Sequence, residues 1–109
     1  MVRLTVLYNL AADQDEEAFL HWRLGEHQQE NATQPGVLYT DFALVQGAWP
    51  DGAPVPYRFM TIADWPDMET FRAAFYEPGM QADMIKNLAI LADPIFLISE
   101  IAISSGGHA

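Results

Sequence analysis

VLYTDFALVQGAWPDGAPVPYRFMTIADW, residues 37–65, holds two runs rich in β-branched and aromatic residues, separated by a segment with three prolines and two glycines. Val37–Val45 and Tyr57–Trp65 therefore read as strands, and Gln46–Pro56 reads as a long loop rather than a tight hairpin turn. No helix lies between the two strands. What flanks this pair decides the fold.

Upstream, Val2–Leu10 alternates, with Val2, Leu4, Val6 and Tyr8 on one face and Arg3, Thr5, Leu7 and Asn9 on the other, as a strand does. Asp13 and Glu16 have the spacing of a capping box, which satisfies the first free amide donors of a helix. That helix is expected to run to about Ala32, and Pro35-Gly36 ends the region. Downstream, Asp67 is placed to cap a second helix whose Met68, Phe71 and Phe75 share a face. Pro78-Gly79 interrupts it, and Gln81–Leu91 adds a further short helix. Asp93-Pro94 then breaks the chain ahead of a fourth strand, Ile95–Ser104. Residues 1–104 make one domain, and 105–109 have the composition of a flexible tail.

The order β-α-β-β-α-β predicts an α+β fold of ferredoxin-like type, a four-stranded antiparallel sheet with its helices on one face. Several strands are nevertheless apolar on both faces. Leu38, Phe42 and Leu44 oppose Val37, Tyr39, Ala43 and Val45, while Phe96 and Ile98 oppose Ile95, Leu97, Ile101 and Ile103. A symmetric homodimer would cover two such faces at once.

Composition narrows the chemistry. The chain has 109 residues, enough for a single core, and no cysteine, which removes disulfides, thiolate catalysis and cysteine-held metals. Fifteen acidic against five basic residues give a formal charge of −10, which repels a phosphate backbone, so nucleic acid is not an expected partner. No apolar run approaches the roughly eighteen residues of a membrane span, and no export signal is visible, so the expected location is the cytoplasm. No glycine-rich phosphate cradle is present, and His21 and His27, six residues apart, point in different directions on a helix, so neither a nucleotide cofactor nor a metal is expected.

His27 is the first residue out of place. At roughly 100° per residue it falls on the inward stripe of the first helix, between Leu20 and Leu24, with Phe19 and Arg23 nearby. A histidine there can simply hydrogen-bond a carbonyl at the helix edge. It can also move a proton near neutral pH, as isomerisation, cyclisation or aldol-type condensation requires.

Glu17-Ala18-Phe19, then His27 eight residues after Phe19, then Pro35-Gly36 eight residues after His27 form a pattern that resembles the EthD-like family of dimeric α/β-barrel proteins. Trp22, Tyr57, Trp65-Pro66-Asp67-Met68-Glu69, Tyr76-Glu77-Pro78-Gly79 and Ala92-Asp93-Pro94 fit the same pattern, so the resemblance spans nearly the whole chain through short motifs. One departure is Gln29, where relatives usually carry a proline. Size and layout are also similar to the REDY-like proteins of prodigiosin-type pigment biosynthesis. The resemblance implies a homodimer with its sheets packed face to face, and a small-molecule pocket between sheet and helices in each subunit.

Members of that superfamily include lactone isomerases, polyketide cyclases and cofactor-free oxygenases, so fold alone names no reaction. His27 is the expected proton-transfer group. Asp41, a carboxylate within a strand, is the second catalytic candidate if it points into the pocket; a charge that blocks aggregation at a sheet edge is the plainer reading. Tyr8, Trp22, Tyr39, Tyr57 and Trp65 are expected to line a site for a small aromatic or polyketide-like metabolite. Asn9 and Trp65 are similar to the asparagine and tryptophan of the superfamily's monooxygenases. The haem branch also needs a histidine on the second helix, and none lies between Asp67 and Leu91, so a cofactor-free oxygenase is the form of that alternative kept. A carrier or chaperone of a reactive intermediate is the non-catalytic alternative. Glu100 is expected to pair with Arg3 or Arg58.

Overall fold

The alternation of Val2–Leu10 becomes strand β1 over those nine residues in the computed structural model, which describes residues 1–106. Val2, Leu4, Val6 and Tyr8 are buried and the residues between them are half-buried. The chain continues through α1 (Glu16–Leu24), α2 (Glu26–Ala32), β2 (Tyr39–Leu44), β3 (Phe59–Trp65), α3 (Met68–Phe75), α4 (Pro78–Leu88) and β4 (Leu91–Glu100). All pairings are antiparallel and the strand order is β2-β3-β1-β4, with β1 and β3 at the centre. This is the expected ferredoxin-like α+β fold, with each helical region split in two.

The split of the first helix and several element boundaries differ from those expected. The cap of α1 is Asp15, whose carboxylate accepts from the amide of Ala18 at 3.1 Å, and not Asp13, because Glu16 is already the first helical residue. Gly25, at φ −101° and ψ −101°, leaves helical geometry and divides α1 from α2. The second helix is interrupted ahead of Pro78-Gly79 as expected, but the further helix begins at Pro78 rather than Gln81 and ends at Leu88: the missing amide costs nothing at the first helical position, and Glu77 caps the amides of Gly79 and Met80. Asp67 caps α3 as expected, accepting from Thr70 at 2.7 Å.

Asp93-Pro94 lies inside β4, which starts at Leu91 and stops at Glu100, ahead of the expected end at Ser104. The register against β1 shifts between Leu7 and Asn9, opposite this dipeptide, and Asp93 takes a left-handed φ of 51°. That is a bulge on an edge strand, where a proline without an amide donor is tolerated. β2 and β3 are shorter than expected, although the amides of Leu38 and Val45 still bond to Asp64 and Arg58 across the pair. The last three residues of the expected tail, His108 among them, lie outside the described residues.

The core sits between one sheet face and α1 and α3. Val2, Leu4, Val6, Tyr8, Phe59, Ala63 and Trp65 pack there against Phe19, Phe71, Ala74 and Phe75. The opposite face carries Arg3, whose guanidinium grips the fully buried Asp64 carboxylate through two bonds of 2.8 and 2.9 Å. Arg58 pairs with Glu16, so neither arginine takes Glu100, which is exposed. That face also carries an apolar band of Leu7, Ala43, Met60, Ile62, Ile95 and Leu97, interrupted by Thr5 and Asp41, with Ile95 38% and Leu97 51% exposed. Among the described residues no helix is long and apolar enough to cross a membrane.

The turn into β2 is held by Trp65, whose indole donates to the Pro35 carbonyl at 3.0 Å, and by Gly36 at φ +76°. A β-carbon on Gly36 would overlap the methyl of Thr70 in a backbone conformation that side chains disfavour. Gly36→Ala is expected to lower stability by about 2 kcal/mol, read as a lower urea midpoint with an unchanged slope. A variant with the parent midpoint would show that this turn does not need glycine.

Candidate functional site

Neither α2 nor α4 buries a residue, and beneath them the sheet is not filled. An open cavity of about 170 Å³ lies there. Leu4, Val6 and Tyr8 of β1 and Thr61, Ala63 and Trp65 of β3 form its floor. Phe19, Trp22 and Arg23 of α1 and His27, Glu30 and Asn31 of α2 form one wall; Met80, Met84 and Leu88 of α4 stand opposite. Its size is comparable to the roughly 150 Å³ apolar cavity that accepts a benzene ring.

The break at Gly25 builds the helical wall. On an unbroken helix Trp22 and His27 would project about 140° apart. Here their rings stack, with centroids 4.2 Å apart and planes 22° off parallel. The same break puts Leu24 outside, 64% exposed, so it does not share the inward stripe as the helical wheel suggests. Phe19, Arg23 and His27, each four residues apart, all turn in toward the cavity.

The His27 side chain is 19% exposed, and its Nδ1 lies 3.4 Å from a Glu30 carboxylate oxygen. Burial holds its pKa below the ordinary 6.5, the positive charge of Arg23 pushes the same way, and Glu30 opposes them. The imidazole is thus held toward its neutral form, which can accept a proton. Its Nε2 makes no hydrogen bond among the described residues.

Arg23 is named in the sequence reading only as a neighbour of the stripe. It is 2% exposed, and its guanidinium donates to Gln28 Oε1 at 2.7 Å and Thr61 Oγ1 at 3.1 Å while lying 4.4 Å above the Phe42 ring. The Tyr8 hydroxyl lies 3.4 Å from the same Thr61 oxygen. A polar line thus crosses the apolar floor from Tyr8 through Thr61 to Arg23. The spacing Phe19, Arg23, His27 could have marked this arginine, but a long cationic side chain is ordinarily assigned to solvent.

Of the other named residues, Tyr8, Trp22 and Trp65 meet His27 around the cavity. Asp41 and Tyr39 do not. Thr40 pairs with Ala63 on the cavity side, whereas Asp41 pairs with Ile62 on the opposite face, where it accepts from the Tyr39 hydroxyl at 2.8 Å. The sheet therefore separates Asp41 from His27. Tyr57 precedes β3 and is absent from the cavity wall. Asn9 is also outside: its side chain binds the Pro56 carbonyl at 2.9 Å and the Arg58 amide at 2.8 Å, fastening the loop before β3. Among the described residues no three histidine, aspartate or glutamate side chains come together as metal ligands.

A four-stranded antiparallel sheet in the order β2-β3-β1-β4 with its helices on one face defines the ferredoxin-like class of folds, and solved structures share it. An ethyl tert-butyl ether D (EthD) family protein from Bacillus halodurans matches with a TM-score of 0.71 at 19% identity, over 93% of this chain and 98% of that one. A dimeric ferredoxin-like protein of unknown function from Thermobifida fusca matches at 0.67 and 19% identity, over 92% and 90%. SnoaB, a cofactor-independent oxygenase from Streptomyces nogalater, matches at 0.68 and 16% identity, over 94% of each chain. At these identities the likeness is one of fold. No protein-family model and no curated protein matches the chain.

The electrostatics of His27 can be read directly by proton NMR titration. Its midpoint is expected below 6.5; Arg23→Gln should move it up, because a neighbouring positive charge is lost, and Glu30→Gln should move it down. Stability follows with a definite sign. A histidine with a lowered folded pKa contributes stability fully above the unfolded value of 6.5, and that contribution is lost as pH falls from there through the folded pKa. A midpoint that ignores both substitutions would remove Arg23 and Glu30 from the environment of the ring.

Proposed function

We propose that the chain acts as a homodimer whose cavity holds a small aromatic or polyketide-like metabolite, and that His27 transfers a proton in a cofactor-free isomerisation, cyclisation or condensation. The observation that carries this reading is an imidazole with Nε2 unbonded among the described residues, its pKa lowered by burial, in the wall of a cavity lined mainly by rings and aliphatic chains. Such a base removes a proton from carbon next to a carbonyl, leaving an enolate and an imidazolium. Returning the proton to another carbon isomerises the molecule; attack of the enolate on a second carbonyl closes a ring or joins two molecules. Trp22, stacked on His27, fixes the ring plane against which a flat ligand would slide.

A cofactor-free oxygenase is the second reading, supported by the SnoaB likeness and by Trp65 in the cavity floor. Asn9, the other residue similar to that chemistry, is engaged with the loop outside the cavity, which favours the proton-transfer reading. A carrier would have the same cavity without dependence on His27. Deuterium exchange into β-tetralone, an aromatic ketone with acidic carbon-bound protons, separates enzyme from carrier. The parent protein is expected to accelerate exchange saturably, and His27→Gln to lose roughly 10² or more of that rate while binding the ketone within about threefold of the parent. Equal exchange in both proteins would leave the carrier reading.

The dimer rests on the apolar band of the outer face and on the dimeric ferredoxin-like neighbour. Sedimentation of the parent at micromolar concentration is expected to give a dimer. Leu97→Glu, which places a charge on the β4 side of that band, is expected to shift it toward monomer. A parent protein that sediments as a monomer would overturn the face-to-face assembly.

A further inference from the structure

We infer that the cavity selects ligands bearing an anionic oxygen, a carboxylate or an ionised enol, and that Arg23 is the residue that recognises it. This rests on the reading of the cavity as the ligand site. Buried cations in proteins are ordinarily paired with a carboxylate, because an isolated charge away from water is costly. Arg23 is buried, yet among the described residues no carboxylate lies within ion-pair distance of it. Its partners are the neutral oxygens of Gln28 and Thr61 and the face of Phe42. They use two of the five donors of a guanidinium, and they cancel none of its charge.

The carboxylates that do line the cavity, Glu30 and Asp83, are both solvent-exposed. The cavity is thus lined mainly by apolar side chains with a few neutral polar ones, a single buried cation at its wall and acidic groups where water reaches them. A ligand with an anionic oxygen at one end and a flat apolar body satisfies every part of that arrangement: the oxygen completes the guanidinium pairing and the rings fill the space between floor and α4. The overall charge of −10 works against anions, so the selection must come from this local contact. Arg23 also shares a stripe with His27 and acts on that ring electrostatically, so a positive charge lies near the group that would remove the proton.

Calorimetric titration at about pH 8, above the ordinary histidine range, tests the inference with matched probes. Naphthoate is compared with its neutral isostere naphthamide, and ionised lawsone with its methyl ether, so that carboxylate and enolate are examined separately. The parent protein is expected to bind at least one anion about tenfold or more tighter than its neutral partner. Arg23→Gln is expected to abolish that preference while the neutral compounds bind within about threefold of the parent. Equal affinity for charged and neutral probes in the parent would overturn the role of Arg23 and leave the cavity as a ligand site; this comparison needs no variant to fold. Retained preference in Arg23→Gln would overturn it as well. If none of the four compounds binds, the cavity reading falls together with the inference.

Discussion

The direction of every side chain in the cavity depends on the alternation of β1. That strand is paired along nearly its whole length with β3 on one side and β4 on the other, so its inward residues fix which residues of both neighbours face inward. A one-residue slip would turn Leu4, Val6 and Tyr8 out and put Arg3, Thr5 and Leu7 under the helices. The Arg3–Asp64 pair resists such a slip, because the register that opposes these two residues also opposes Leu4 to Ala63 and Val6 to Thr61. A half-buried two-bond ion pair on the outer face thereby sets the floor of a site on the inner one.

Above that floor, the local chemistry comes from a loss of regularity. A continuous helix from residue 16 to residue 32 would send Trp22 and His27 in different directions and leave a smooth apolar ridge. Gly25 removes that regularity at one point. Two rings then stack, a leucine leaves the interior and an arginine occupies it. The split between α3 and α4, capped by Glu77 and opened by Pro78, produces the opposing wall, whose methionines reach inward without filling the space. Short helices that bury no residue of their own leave room for a guest.

The sheet was legible in the sequence because its signal is local. Val2–Leu10 alternates strictly, and Asp67 stands where a cap is needed, so strand and helix announce themselves within a few residues. The cavity was legible only in part. His27 could be placed on an inward face by periodicity, and Tyr8, Trp22 and Trp65 by their aromatic character, but Asp41 and Tyr39 required the register of β2 against β3 to be assigned to a face. Arg23 was obscured by a prior: arginine is usually outside, and nothing in sequence spacing reveals that Thr61, in a distant strand, waits to accept its hydrogen bond. Boundaries failed where proline has two meanings. Pro78 starts a helix and Pro94 sits in an edge strand, and in both places the absent amide is harmless for a reason that only the tertiary setting supplies.

The bulge at Asp93-Pro94 bears on how copies of this protein can meet. β4 is a ten-residue strand on the border of the sheet, long enough to template another strand along its free amides and carbonyls. Pro94 deletes a donor from that ladder, and the left-handed turn at Asp93 bends the backbone out of line. The other border, β2, has only six residues. Growth by strand addition, which would run on without limit toward fibrils, is thus discouraged at both margins, while the broad apolar face is left available. A surface that can be used once, by a partner that hides its own copy of the same surface, would end the proposed assembly at two.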